Sequence, residues 1–179
     1  MKATGIVRRI DDLGRVVIPK EIRRTLHIRE GDPLEIYTEK DGEVIFKKYS
    51  PLGELSVFAT QICDSLYKSG DCVAAICDRD TIIACSGVPK KEFLEKRVSD
   101  DLTNIMESRK IYTAPEGPQL PFVTGDDTLC IKVAAPILSE GDITGCVIFA
   151  SKAGSPAPTE VQIKLAVTVA SFLGKQMET

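Results

Sequence analysis

Arg8, Arg9, Arg15, Lys20, Arg23 and Arg24 crowd one end of the chain, and their side chains are the ones best suited to chemistry with a polyanion. The first 29 residues hold eight Lys/Arg against three Asp/Glu, a local net of +5, in a protein whose formal net charge is −3. A guanidinium is a planar fork that binds phosphate oxygens in pairs or reaches O6 and N7 of guanine. A basic patch on an otherwise acidic chain is the footprint of polyanion binding. Arg8 and Arg9 end an expected first strand, Arg15 starts a second, and Lys20, Arg23 and Arg24 ride a short helix.

Enzyme chemistry has weaker support. The single histidine, His27, stands at an expected helix end, where a cation is favourable, with no nucleophile pattern near it. Neither a G-x-x-x-x-G-K-[ST] nor an H-E-x-x-H motif occurs. The acidic pairs Asp100-Asp101 and Asp126-Asp127 fall at a helix start and in a loop, the usual places for caps and turns. The six cysteines form no C-x-x-C pair and, Cys63 apart, lie in or beside apolar runs, as reduced small hydrophobes do. No catalytic residue and no metal ligand is therefore expected, and the protein is read as a non-enzyme.

The elements that must carry the basic residues are short. Thr4–Ile10 reads as a strand, Asp11-Asp12-Leu13-Gly14 as a turn with a left-handed Gly14, and Arg15–Ile18 as a second strand. Pro19 opens a helix to Leu26, with Ile22 and Leu26 on its inner side. Pro33–Glu39 and Glu43–Tyr49 form a hairpin about Asp41-Gly42. Four short strands and one helix bury little surface, and domains of this size often depend on oligomerisation. Dimerisation is expected on that ground.

Ser50-Pro51 marks the boundary. Ser50 caps a helix with Pro51 in its first turn, and Leu55, Phe58, Ala59, Ile62 and Leu66 keep helical spacing to about Lys68. The helix suits packing on its own domain and pairing with a second copy equally. Beyond Gly70 come strands at Val73–Cys77 and Thr81–Ser86, helical stretches near Lys90–Leu94 and Asp100–Arg109, and a long Pro- and Gly-bearing loop over 113–128. Leu129–Ile137 and Thr144–Ala150 then pair as strands. Thr159 caps a last helix with Val161, Leu165, Val169 and Phe172 on one side. The pattern is an antiparallel sheet covered by helices, with no internal repeat. The longest apolar runs are strand-length, far short of the roughly 20 residues of a membrane span. Met1-Lys2-Ala3 meets Arg8 and Arg9 before any signal-peptide-length apolar stretch, so a cytoplasmic protein is expected.

The run from Thr4 through Arg8-Arg9-Ile10-Asp11-Asp12-Leu13-Gly14-Arg15-Val16-Val17-Ile18-Pro19, then Glu21–Leu26 and Gly31–Ile36, resembles the AbrB-type transition-state regulator family over residues 1–50. Joined to the segment that follows, it is similar to a transcription factor of spore-forming bacteria that couples an AbrB-type domain to a GAF-like one. The resemblance implies an α+β protein: an N-terminal swapped-hairpin β-barrel dimer, and a C-terminal GAF-like antiparallel sheet with helices. The implied division is 1–50 for DNA binding, 51–69 as a linker helix and 70–179 as a regulatory domain. By the family pattern the DNA contacts fall on Arg8, Arg15, Arg23 and Arg24, with Arg9 and Lys20 helping. The implied partners are double-stranded DNA and further copies of the chain, as homodimer and then tetramer. No cofactor is expected beyond an unidentified small-molecule ligand of the GAF-like part. The competing class is an antitoxin, whose tail wraps a toxin; here the C-terminal part reads as globular.

Overall fold

The computed structural model describes residues 5–115 and 119–178 and divides the chain into two compact units, Met1–Tyr49 and Ser50–Thr179. Thr4, the expected start of the first strand, and Met1-Lys2-Ala3 lie outside the described residues, as do Gly117 and Pro118 of the long loop.

The first unit holds helix α1 (Lys20–Thr25) and strands β1 (Leu34–Thr38) and β2 (Val44–Lys48). Pro19 stands at the N-cap rather than inside the first turn, and its carbonyl accepts from the Arg23 N–H at 3.0 Å. The helix ends where His27 turns left-handed at φ 52, so that the His27 and Ile28 N–H groups close back on the Arg24 and Arg23 carbonyls. Lys48 Nζ donates to the His27 carbonyl at 2.7 Å and lies 3.3 Å from the Asp32 carboxylate, tying the helix end to the hairpin. In that hairpin Ile36 faces Phe46 and Tyr37 faces Ile45, about a turn in which Gly42 takes φ 81.

The two strands expected before the helix are not formed: residues 5–18 carry no strand. Extended backbone becomes a strand only where a second edge pairs with it, and a single chain supplies no ladder along these arms. Only the turn itself closes, by the Asp11 N–H to the Arg15 carbonyl and the Gly14 N–H to the Asp11 carbonyl, with Gly14 at φ 77. Nor does the unit have a core. Pro19 is the one buried residue among positions 5–49. Val7 is 87% exposed and Val17 71%, and Leu26, on the expected inner side of α1, is 56% exposed.

The second unit begins with α2 (Pro51–Glu54) and α3 (Ser56–Gly70), a break at Leu55 in the single helix expected there. Ser50 Oγ accepts from the Gly53 N–H at 3.1 Å, the expected cap. Then follow β3 (Val73–Asp78), β4 (Ile82–Ser86), α4 (Lys90–Phe93), α5 (Asp100–Ser108), β5 (Tyr112–Thr113), β6 (Pro121–Val123), β7 (Asp126–Ser139), β8 (Asp142–Lys152) and α6 (Glu160–Gln176). The expected loop at 113–128 is a correction: it holds β6, which pairs with β7 about a left-handed Gly125. The sheet order is β4-β3-β8-β7-β5, antiparallel throughout, with β6 also on β7.

Alternation along the strands builds two cores, one on each face of the sheet. Ala74 and Ile76 of β3 and Val147 and Phe149 of β8 meet Leu52 of α2, Ala59, Cys63 and Leu66 of α3, and Ala166, Ala170 and Leu173 of α6. Ala75 and Cys77, with Cys146 and Ile148, face Phe93, Leu102, Met106 and Phe122 instead, where the Phe93 and Phe122 rings stack at 5.8 Å. The helix expected to link the two parts thus packs on the sheet of the second.

For α6 the side marked by Val161, Leu165, Val169 and Phe172 is not the buried one. Ala166, Ala170, Leu173 and Gly174 are buried, while Val161 is 58% and Phe172 44% exposed. Beyond the exposed polar stripe of Glu160, Lys164, Thr168, Ser171 and Lys175 the helix is apolar, and its small residues win the sheet because they allow close approach. A Cβ at Gly174 would collide with the Leu138 carbonyl. The bulkier residues are left outside, where Phe172 meets Phe58 of α3 with ring centroids 6.0 Å apart.

Candidate nucleic-acid interface

All six basic residues singled out from the sequence are exposed. Arg8 and Arg9 lie on the arm before the Asp11–Gly14 turn, Arg15 follows it, and Lys20, Arg23 and Arg24 are carried by α1. Arg23 and Arg24 occupy the last turn of that helix, where cations complement the dipole. The turn brings the two arms together at one point, Asp11 with Arg15.

Two arginines are anchored by the same atom. Arg15 Nε donates to Asp11 Oδ2 at 2.9 Å, and Arg23 Nε donates to the Ile18 carbonyl at 3.2 Å. In both the Nη pair remains to face outward. The side chains of Arg8, Arg9, Lys20 and Arg24 form no hydrogen bond or ion pair among the described residues. Four long cations are thus left to water and to whatever anion arrives.

Asp11 is the partner of these cations that reading by charge missed, because it entered the count as a turn acid. Its Oδ1 accepts from the Leu13 N–H at 3.0 Å and the Arg15 N–H at 2.8 Å. The Arg15 N–H foremost, with the Arg15 side chain and the Leu13 N–H, holds this carboxyl below the usual aspartate range. The signal was present as an acid opening a four-residue turn that ends in Gly14, with the arginine directly after it.

Among the described residues no group of three His, Cys, Asp or Glu side chains could hold a metal ion. All six cysteines are free, and burial raises every thiol pKa. An open cleft of about 570 Å³ is lined by Tyr67, Cys72, Phe93, Asp126 and Lys152 among others. Lys132 was missed too. It sits mid-strand in β7 at 3% exposure, and its Nζ donates to the Ser155 and Pro156 carbonyls at 2.5 and 2.7 Å. A register shift at this point of β7 turns it inward, which no alternation pattern signals.

Comparison with known proteins places both units. Residues 54–178 match the family described as stage V sporulation protein T C-terminal, transcription factor, and residues 7–53 match the family described as antidote-toxin recognition MazE, bacterial antitoxin. Stage V sporulation protein T of Bacillus subtilis is 51% identical over 179 residues, 99% of each chain. The transition state regulatory protein AbrB of the same organism is 65% identical over 51 residues, 28% of this chain and 52% of that one. The GAF domain of a phosphoenolpyruvate-protein phosphotransferase from Coxiella burnetii superposes with a TM-score of 0.54 at 16% identity, over 69% of this chain and 82% of that one. That likeness shows the second unit to have a GAF fold. With identity sustained from end to end, the chain belongs to the stage V sporulation protein T family of transcription factors.

Proposed function

We propose that this protein is a sequence-specific DNA-binding transcriptional regulator of sporulation, without enzymatic activity, acting in the cytoplasm of the developing spore. Residues 1–50 bind double-stranded DNA, 51–69 connect, and 70–179 regulate. Arg8, Arg15, Arg23 and Arg24 are the principal contacts, with Arg9 and Lys20 adding phosphate contacts. The observation that carries this is the set of exposed cations on an acidic chain, on a segment 65% identical to a transition state regulatory protein.

The DNA-binding form is a homodimer. With one buried residue among the described positions 5–49 and extended arms without a ladder, the first unit has its apolar side chains Val7, Ile10, Val17, Leu26 and Phe46 in water. Burying them against a second copy supplies both the core and the strand partners, at about 25 cal/mol per Å² removed from water. Dimers pair into a tetramer through α3 and α6, whose outer faces carry Val57, Phe58, Val161 and Phe172. The antitoxin alternative needs a C-terminal tail free to wrap a toxin, whereas residues 50–178 have a folded sheet with two cores.

Fluorescence anisotropy on DNA fragments selected by the full chain from a random pool, with light scattering for mass, tests the proposal. The expected result is a selected sequence bound by a multimer. A monomer, or a protein that enriches no sequence, would refute it.

A further inference from the structure

The DNA-binding reading leaves open which arginine reads bases and which merely hold the backbone. We propose that Asp11 is a positioning residue that fixes the guanidinium of Arg15 for base-edge recognition of guanine, making Arg15 the sequence-reading contact while Arg8, Arg9 and Arg24 serve phosphates. This rests on the DNA-binding function proposed above.

Phosphate binding tolerates a mobile cation, because the backbone offers oxygens in many directions. Reading a base edge does not: the fork must arrive in the plane of the base pair with both amines aimed at O6 and N7. An exposed arginine spreads over many rotamers and loses most of that freedom when it docks. A side chain already held at one edge loses less.

Asp11 supplies that hold at two levels. Oδ1 binds the Leu13 and Arg15 N–H groups at 3.0 and 2.8 Å, so the carboxylate plane is set by the backbone of the turn. Oδ2 then takes Arg15 Nε at 2.9 Å. Only the Nε corner of the guanidinium is used, and no described residue takes the Nη pair. The Arg15 side chain stays 70% exposed in spite of the ion pair, so the contact orients the fork without covering it. Arg8, Arg9 and Arg24 have no such partner among the described residues, and they keep the freedom that suits phosphates. Arg23 has its Nε on a neutral carbonyl, which limits its range but leaves its charge unbalanced.

An electrostatic role for Asp11 would act in the opposite direction. Its charge repels DNA, so removing it should strengthen binding to every sequence. Positioning requires that removal weakens binding to one sequence alone. The discriminating substitution is Asp11→Asn, which keeps an oxygen for the turn N–H groups and deletes the anionic partner of Nε.

The experiment uses the full chain and a duplex selected by the wild type from a random pool. Its guanines are replaced singly by 7-deazaguanine, which lacks the N7 acceptor, and a scrambled duplex of equal length is the reference. In the wild type one or more replacements should weaken binding by about three- to tenfold, the loss of one arm of a bidentate contact. In Asp11→Asn that sensitivity should vanish, with affinity for the scrambled duplex unchanged or raised. Arg15→Ala, which removes the fork and every donor with it, should lose the same sensitivity, so the inference does not hang on one variant's folding. Retained sensitivity at the same guanines in both variants would overturn it, as would a parallel loss on both duplexes by a folded Asp11→Asn. Insensitivity of the wild type to every replacement, with selective binding intact, would overturn this inference and leave the DNA-binding function standing. Failure of the wild type to bind any duplex would overturn both.

Discussion

Asp11 holds Arg15 twice, through the Arg15 N–H at 2.8 Å and through Nε at 2.9 Å, so that one side chain shapes the turn and aims the cation that follows it. The basic end is thus not a uniform patch. It contains a held arginine at the turn, a second anchored to the Ile18 carbonyl, and loose cations around them. Different substitutions should therefore fail in different ways.

Arg15→Ala and Arg23→Ala should each weaken binding to a selected duplex by about 1–3 kcal/mol. Neither side chain is buried, so the far-ultraviolet circular dichroism and the molecular mass should stay those of the wild type. Anisotropy titrations beside a light-scattering run give both quantities. Undiminished binding by either folded variant would remove that residue from the interface.

Val17→Asp should act through assembly. Val17 is 71% exposed in the single chain, and in the dimer proposed here it becomes part of the shared core. A carboxylate there should lower the mass found by light scattering and abolish DNA binding together. The second unit should keep its own thermal transition, since its two cores are built from residues 52–173. A variant of unchanged mass would place the dimer contact elsewhere.

Three of the six thiols should be inert in the native protein. Cys63, Cys77 and Cys146 lie in the two cores with thiol pKa values pushed far up by burial. At pH 8 they stay protonated, so alkylation by iodoacetamide should be slow for the native chain and fast in denaturant. The sign for stability follows. Their folded pKa values lie above the unfolded one, so the contribution is complete below the ordinary value of about 8.5 and falls as pH rises through the alkaline range above it. Chemical denaturation at pH 7 and pH 10 would measure the loss.

Lys132→Ala should destabilise the second unit by about 2–3 kcal/mol, the usual worth of hydrogen bonds to a charged group. Its ammonium is the clamp between β7 and the stretch at Ser155-Pro156 that leads into α6. A lowered thermal transition with unchanged affinity for DNA is expected from this position.

Much of this was legible in the chain. The Gly14 and Gly42 turns, the Ser50 and Thr159 caps and the paired long strands before α6 follow from local rules, and Thr159 forms the full reciprocal cap with Gln162. What failed had non-local causes. Residues 5–18 look like strands because they are rich in β-branched residues, but pairing is a property of two edges, and one chain offers none. Val161 and Phe172 have helical spacing, yet periodicity cannot rank two apolar sides; the choice went to Ala166 and Ala170 because the sheet lies close. Lys132 is buried at a register shift in β7, which spacing along the chain does not signal. At the interface, charge and family resemblance singled out the arginines, whereas the role of Asp11 needed the distances.

In the proposed complex the +5 end meets the phosphate backbone. The most direct measurement is the affinity of the full chain for a selected duplex over a range of salt concentrations. If a dimer engages roughly six to eight phosphates, log K should fall linearly with log[salt] at a slope of about −5 to −7. A flat response would contradict the account.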